Sequence, residues 1–149
     1  IGVYDPELVE TLAYVLRDLG SEAAFVVNSA DGLDELSLAG PNTVAALQKG
    51  QVSRLTLDPA HLGLARANKA AMRGGDAEEN AAITREVLGG AMGPRRDVVL
   101  LNAGMALVAA AVAADPREGL ERAAASIDSG AALKVLDALV AFTQGATQP

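Results

Sequence analysis

The sequence predicts an α/β fold, with a few strands in the first half of the chain and a helical second half. A short, continuously apolar run at residues 23–27 is typical of a strand that is covered on both faces. Apolar residues at helical spacing precede this run and dominate after Gly75, where most of the alanines fall. A length of 149 residues corresponds to about one ordinary domain, so we expect a single core.

A helix is predicted before the strand. Asp5 and Pro6 form a typical N-cap and first-turn pair, and apolar residues then recur at helical spacing as far as Gly20. This pattern predicts a helix over residues 6–19. A helix that leads into a buried strand indicates one layer of an α/β fold.

Two apolar segments, residues 43–47 and 52–57, flank the turn-forming residues 49–51. The arrangement predicts a β-hairpin, but residues 44–47 are equally compatible with one turn of helix, and the sequence leaves both structures open. Residues 58–72 are expected to be a connector with room for one or two short helical turns.

Four helices are predicted in the second half of the chain. The first starts with a capping box, in which Asp76 is the N-cap and Glu79 the third helical residue. The second is apolar on nearly all sides after its first turn, so we expect it at the centre of a bundle. The four are expected from Asp76 to about Gly89, over residues 95–114, over residues 116–127 and over residues 133–142, with a non-periodic tail after Gln144.

Composition and charge exclude several classes of function. The formal net charge of -7 repels phosphate backbones and anionic lipid headgroups, so we expect neither a nucleic-acid partner nor a membrane. The absence of cysteine removes disulfides, thiolate metal sites and a thiol nucleophile. No basic segment followed by an apolar one opens the sequence, and we therefore expect a cytoplasmic protein.

The most informative charged cluster contains Asp31, Asp34 and Glu35. No Lys or Arg occurs between Arg17 and Lys49. Adjacent carboxylates without nearby cations repel each other, and a hard, oxygen-seeking cation such as Mg²⁺ relieves that repulsion. Asp34 and Glu35 are therefore candidate metal ligands, although their spacing alone favours a solvated acidic turn over a metal site.

Other polar motifs favour structural interpretations. Asp76 is expected to cap its own helix, so that the preceding glycines do not bind an anion. His61 is expected in a surface loop, and Asn102 is expected to bond a neighbouring backbone in the core. Arg95 and Arg96 are expected to be solvated or salt-bridged. No catalytic side chain and no nucleotide-binding glycine motif is predicted.

Five sequence strings, in order and over nearly the whole chain, resemble the C-terminal part of the anthranilate phosphoribosyltransferase family, of the glycosyltransferase family 3 type. They are DGLDELS with GP at residues 31–41, DP with LGL at residues 58–64, GGDAEENA at residues 74–81, VLLNA at residues 99–103 and ASIDSGAAL at residues 125–133. The resemblance implies that residues 1–149 are a partial α/β phosphoribosyltransferase domain, without the family's N-terminal helical domain and phosphate-loop region.

The resemblance also implies a reaction. The family transfers phosphoribose from phosphoribosyl pyrophosphate to the amine of anthranilate, an early step of tryptophan biosynthesis, and usually works as a homodimer. By this resemblance Asp34 and Glu35 are ligands of a Mg²⁺ ion that is bound with the pyrophosphate. The phosphate and anthranilate contacts belong largely to the absent half, so the chain is expected to be inactive alone.

The chain also departs from the family. The GTGGD loop and the KHGN segment are absent, Asn28 and Ser29 stand where the family commonly has His-Gly, and Asn42 and Thr43 replace the usual pattern after Gly-Pro. Two alternatives therefore stay open. One is a relative of the pyrimidine nucleoside phosphorylases, and the other is a non-catalytic binding or scaffold module that keeps the fold.

Overall fold

The computed structural model describes residues 1–145, and its elements confirm the predicted α/β class with the strands in the first half. The elements of the first half are α1 (Leu8–Asp18), β1 (Ala23–Asn28), β2 (Asn42–Gln48) and β3 (Gln51–Leu57). Two short 3-10 helices, Pro59–Leu62 and Lys69–Met72, connect them to the second half. The helices that follow are α2 (Ala77–Leu88), α3 (Pro94–Ala109), α4 (Pro116–Asp128) and α5 (Ala131–Gly145).

The three strands form an antiparallel sheet in the order β1-β2-β3. Lys49 and Gly50 turn β2 into β3, with φ angles of 50° and 76°, so the hairpin is confirmed and the helical alternative is wrong. Glycine suits such a turn because it has no Cβ to clash at positive φ. On the other edge the N-terminal residues run parallel to β1, where the Val3 N–H donates to the Val27 carbonyl at 2.9 Å.

Helices cover both faces of the sheet, as the apolar run of β1 predicts. Successive strand residues point to opposite faces. Val26 accordingly packs with Val9 of α1, while Val27 packs with Leu101 of α3. Helix α3 therefore lies between the sheet and α4, which agrees with the central position expected for it.

Several helix boundaries differ from the prediction. Helix α1 begins at Leu8 rather than Pro6, because the Asp5 carboxylate accepts the Glu7 N–H at 2.9 Å and closes a separate turn before the helix. Helix α3 ends at Ala109 rather than at residue 114, because Ala111 has a left-handed backbone with φ of 55°. Helix α5 continues to Gly145, and the rest of the predicted tail lies outside the described residues.

Among residues 1–145, no helix combines the length and apolarity needed to cross a bilayer.

Helices α3 and α4 cross with their backbones in contact at two glycines. A Cβ added at Gly104 would lie 2.9 Å from the Gly119 carbonyl carbon, and one added at Gly119 would lie 2.4 Å from the Gly104 oxygen. Real Cβ atoms do not approach backbone atoms so closely, so a side chain at either position would force the helices apart. This close contact holds α4 against α3.

Gly119→Ala is expected to lower the free energy of unfolding by about 2 kcal/mol, within the usual range for overpacking. Gly145→Ala is the matched control, because its Cβ would meet no atom within 4 Å. Urea unfolding of both variants measures the difference. Equal stability of the two variants would show that the helices do not depend on this contact.

Candidate functional site

An acidic bend, residues 29–41, connects β1 to β2 and contains the predicted metal ligands. Leu36 and Leu38 of the bend are each only 1% exposed and belong to the main core. Asp34 and Glu35, immediately before Leu36, are exposed. The bend therefore presents two carboxylates to solvent from a segment whose apolar residues are anchored in the core.

Asn102 of α3 holds the bend by its backbone. Its Oδ1 accepts the Leu36 N–H at 3.0 Å, and its Nδ2 donates to the Leu36 carbonyl at 2.8 Å and to the Val98 carbonyl at 2.9 Å. The prediction that Asn102 bonds neighbouring backbone is confirmed. One amide thus satisfies both backbone polar groups of the residue that follows Glu35.

Asn42, the fully buried first residue of β2, closes the other end of the bend. Its Oδ1 accepts the Ser37 N–H at 2.9 Å, and its Nδ2 lies 3.1 Å from the Ser37 carbonyl, 3.3 Å from the Gly40 carbonyl and 3.2 Å from the Leu57 carbonyl. Sequence reasoning registered Asn42 only as a departure from the family. An asparagine directly after Gly-Pro, at the start of an apolar segment, was the available signal for this role.

Gly2 sets the position of the first carboxylate from a third side. A Cβ added at Gly2 would lie 1.4 Å from the Asp34 carbonyl oxygen. The segment beside β1 therefore packs directly against the backbone of the bend, and only glycine leaves the required space. Sequence reasoning missed this residue because the contact joins distant parts of the chain.

Asp31 stabilises the bend internally. The Ser29 hydroxyl donates to Asp31 Oδ1 at 2.7 Å and accepts the Leu33 N–H at 2.7 Å. Partial burial raises the pKa of Asp31, but the net effect is a pKa below the ordinary value. The pKa is lowered by hydrogen bonds from the Ser29 and Ser37 hydroxyls, by a hydrogen bond from the backbone of Asp31 itself and by the positive charge of Lys69. Asp31 is therefore an ionised partner of the bend's own hydroxyls.

Glu35 of the bend lines two cavities. The inner cavity, of about 390 Å³, lies between the bend, α2 and the start of α3, and its walls are mainly apolar. The outer cavity, of about 490 Å³, is lined by Leu33, Glu35, Lys69, Ala70, Met72 and Arg73. Glu35 and Lys69 line both cavities, whereas Asp34 lines neither.

Asp34 and Glu35 are the donors that the bend offers to the implied metal ion. Within residues 1–145, no three His, Cys, Asp or Glu side chains form a group that could hold a metal ion, and neither Asp34 nor Glu35 is in an ion pair there. Protein-bound Mg²⁺ typically keeps several waters and uses one or two carboxylates together with substrate phosphates. The exposed, unpaired carboxylates fit a Mg²⁺ ion whose coordination the substrate completes, and they do not fit a closed structural metal site.

The structural interpretation of the glycine-rich helix start is confirmed. Asp76 Oδ1 accepts the Glu79 N–H at 2.9 Å, and Asn80 Oδ1 accepts the Gly75 N–H at 3.0 Å. These side chains occupy two of the N–H donors that an anion would need. His61 is exposed on a short 3-10 helix, as expected for a surface residue, and its carbonyl accepts a hydrogen bond from Arg117.

The two adjacent arginines at the start of α3 differ in environment. Arg96 is 4% exposed and forms a salt bridge with Asp128 at 2.8 Å, which confirms the salt-bridged alternative for this residue. Arg95 donates to the Arg73 carbonyl at 2.6 Å and lines the inner cavity. Burial raises the pKa of the neighbouring Asp97, and the Arg96 charge only partly opposes it.

Comparison with known proteins identifies the class. Residues 1–133 match a family model described as "Glycosyl transferase family, a/b domain", and the chain belongs to this family. The anthranilate phosphoribosyltransferase of Thermomicrobium roseum is 58% identical over 93% of this chain and 41% of its own length. The resemblance predicted from the five strings is thereby confirmed.

Solved structures agree with the sequence match. The anthranilate phosphoribosyltransferase of Thermus thermophilus superposes with a TM-score of 0.88 and 38% identity over 96% of this chain and 42% of its own. The Saccharomyces cerevisiae enzyme in complex with PRPP (phosphoribosyl pyrophosphate) and Mg superposes with a TM-score of 0.81. It is 29% identical over 91% of this chain and 40% of its own. The chain thus spans about two fifths of the length of these relatives.

Asn102→Leu is expected to lower the free energy of unfolding by about 2 kcal/mol, because it leaves buried backbone groups without partners. The amide of Leu36 should also exchange faster with solvent. Gln51→Leu, at an exposed strand position, is the control. Hydrogen exchange followed by NMR measures the effect, and an unchanged Leu36 amide in Asn102→Leu would contradict the role of this side chain.

Asp31→Asn is expected to cost stability only where Asp31 is ionised. Because folding lowers the pKa of Asp31 from 3.8, its charge stabilises the fold above that pH, and this contribution is lost as the pH falls through the lower folded-state pKa. The difference in unfolding free energy between wild type and variant should therefore be constant above about pH 5 and shrink under more acidic conditions. A difference independent of pH would argue against this assignment.

Proposed function

We propose that this chain is part of an anthranilate phosphoribosyltransferase, which transfers phosphoribose from phosphoribosyl pyrophosphate to the amine of anthranilate in a Mg²⁺-dependent reaction. The observation that carries the proposal is the exposed, unpaired Asp34-Glu35 pair on a bend that Asn102 and Asn42 fix to the core. Support comes from the yeast relative bound to PRPP and Mg, and from its complex with 4-fluoroanthranilate.

Asp34 and Glu35 would each offer a carboxylate oxygen to the metal. When bound, Mg²⁺ supplies charge neutralisation for the diphosphate that departs. The protein's contribution is preorganisation. Leu36 and Leu38 anchor the bend, and Asn102 holds the backbone next to Glu35, so the backbone that carries the two carboxylates is fixed before an ion binds.

The reaction needs no covalent intermediate on the protein. The amine nitrogen of anthranilate attacks the ribosyl carbon, the bond from that carbon to the diphosphate oxygen breaks, and the nitrogen loses one proton. The main demand on the enzyme is then to hold two substrates in register and to stabilise the leaving group.

Residues 1–149 are proposed to supply the metal-binding part of one α/β domain. The remainder of a longer polypeptide would supply the helical domain, the phosphate loop and most anthranilate contacts. That polypeptide would act as a homodimer in the cytoplasm, without nucleic-acid or membrane partners. The chain alone would be inactive, because its relatives are more than twice its length.

A non-catalytic module that keeps the fold is the second candidate. The observation that favours it concerns the two residues that replace the family's His-Gly. Asn28 Nδ2 donates to the Val3 carbonyl at 2.8 Å, and the Ser29 hydroxyl bonds Asp31, so both side chains serve the fold. The pyrimidine nucleoside phosphorylase alternative gains no support from the relatives described above.

Asp34→Asn and Glu35→Gln are expected to reduce kcat/KM for phosphoribosyl pyrophosphate about 100-fold or more in the longer polypeptide, as removal of leaving-group stabilisation does elsewhere. Glu121→Gln, an exposed acid on α4, is the matched control and should retain full activity. Steady-state kinetics with titrated Mg²⁺ measures both effects.

The same assay separates the two candidates. A wild-type longer polypeptide without phosphoribosyl transfer would favour the non-catalytic module. Full activity of both carboxylate variants would refute the metal assignment while leaving the reaction in place. Appreciable turnover by the 149-residue chain alone would show that the remainder of the polypeptide is not needed to bind the two substrates.

A further inference from the structure

We propose that Lys69 and Arg73, which line the outer cavity together with Glu35, bind the diphosphate group of the substrate there. The inference rests on the proposed function and deepens it. It assigns part of the phosphate-binding surface to this chain, whereas the sequence analysis placed the phosphate contacts largely in the absent half.

The first observation is the composition of the outer cavity. Three of its six lining residues are charged, namely Glu35, Lys69 and Arg73. The other three are Leu33, Ala70 and Met72, which offer no side chain that competes for a phosphate oxygen. A volume of about 490 Å³ leaves room for a diphosphate with its metal ion and water.

The second observation is that both cations are available. Arg66 is paired with Asp58 at 2.7 Å, and Arg95 donates to the Arg73 carbonyl at 2.6 Å. By contrast, in the part of the chain that the structure describes, the side chains of Lys69 and Arg73 have no ion-pair or hydrogen-bond partner. Two positive charges therefore line the same cavity as a proposed metal ligand, and neither is tied up in an ion pair within residues 1–145.

The third observation is that the segment carrying these cations is fixed. Asn68 caps the 3-10 helix by accepting the Ala71 N–H at 3.3 Å. The Arg73 N–H donates to the Ala70 carbonyl at 3.2 Å, and Arg95 holds the Arg73 carbonyl. The charge of Lys69 also lowers the pKa of Asp31, so this ammonium group is within electrostatic reach of the bend.

Charge balance explains why two cations in this cavity would help to bind the diphosphate. The charges of Asp34 and Glu35 are matched by one divalent ion, which leaves most of the diphosphate charge without a partner. Charged hydrogen bonds from lysine and arginine are strong, and arginine can contact two phosphate oxygens at once. Lys69 and Arg73 would supply this missing charge within the cavity that Glu35 also lines.

The test compares two double variants of the longer polypeptide that remove the same charge. Lys69→Gln/Arg73→Gln should raise both the KM for phosphoribosyl pyrophosphate and the inhibition constant of pyrophosphate about tenfold or more. The KM for anthranilate should not change, and kcat should stay within about twofold of wild type. Lys49→Gln/Lys134→Gln, on the β2-β3 turn and on α5, should leave all four constants unchanged.

The conservative variant Lys69→Arg/Arg73→Lys should largely restore pyrophosphate inhibition, which a purely structural role would not predict. Active wild type with unchanged constants in Lys69→Gln/Arg73→Gln would overturn the inference and leave the proposed function intact. A loss confined to kcat, or an equal effect in the control variant, would also overturn it. Inactive wild type would instead refute the proposed function, and the inference with it.

Discussion

The hydrogen bonds of the Asn102 amide to the Leu36 backbone are the interaction on which the site depends. They join the acidic bend to the central helix across 66 residues of sequence. Without them, the N–H and the carbonyl of Leu36 would be buried without hydrogen-bond partners, which costs about 1–3 kcal/mol per group. The bend would then be free to move away from the core, and its two carboxylates would move with it.

The rest of the fold serves to keep α3 in place beneath this contact. The sheet packs on one side of α3, and α4 crosses the other side at the Gly104–Gly119 contact. Asn42 and Gly2 add two further constraints on the bend, one from the sheet and one from the segment beside β1. The resulting base is rigid where the chemistry requires fixed carboxylates, and the exposed side chains of Asp34 and Glu35 remain free to accept an ion.

Sequence reasoning recovered the features that depend on neighbouring residues. The α/β class, the capping role of Asp76 and the apolar strand at residues 23–27 all follow from local patterns. Short apolar segments such as residues 44–47 are ambiguous in isolation, and pairing with β1 and β3 on both sides decides in favour of a strand. The end of α3 was misplaced because an alanine, Ala111, adopts the left-handed conformation that usually marks a glycine.

The features that position the site are long-range and were only partly predictable. The sequence indicated Asp34 and Glu35 by their charge and Asn102 by its apolar surroundings. It gave no indication that Gly2 abuts Asp34, or that Lys69 and Arg73 share a cavity with Glu35. The Gly2 contact arises because the N-terminal segment runs beside β1, and the shared cavity arises because the connector after β3 folds back over the bend. No local sequence pattern encodes either arrangement.

The most direct test of the account is paramagnetic broadening of the backbone amide NMR signals of the 149-residue chain by Mn²⁺, with and without pyrophosphate. If the carboxylate pair holds the ion, the amides around Asp34 and Glu35 should broaden first, and pyrophosphate should strengthen that broadening. Broadening centred on other exposed acids, such as those at the start of α2, with the bend unaffected, would contradict the central claim.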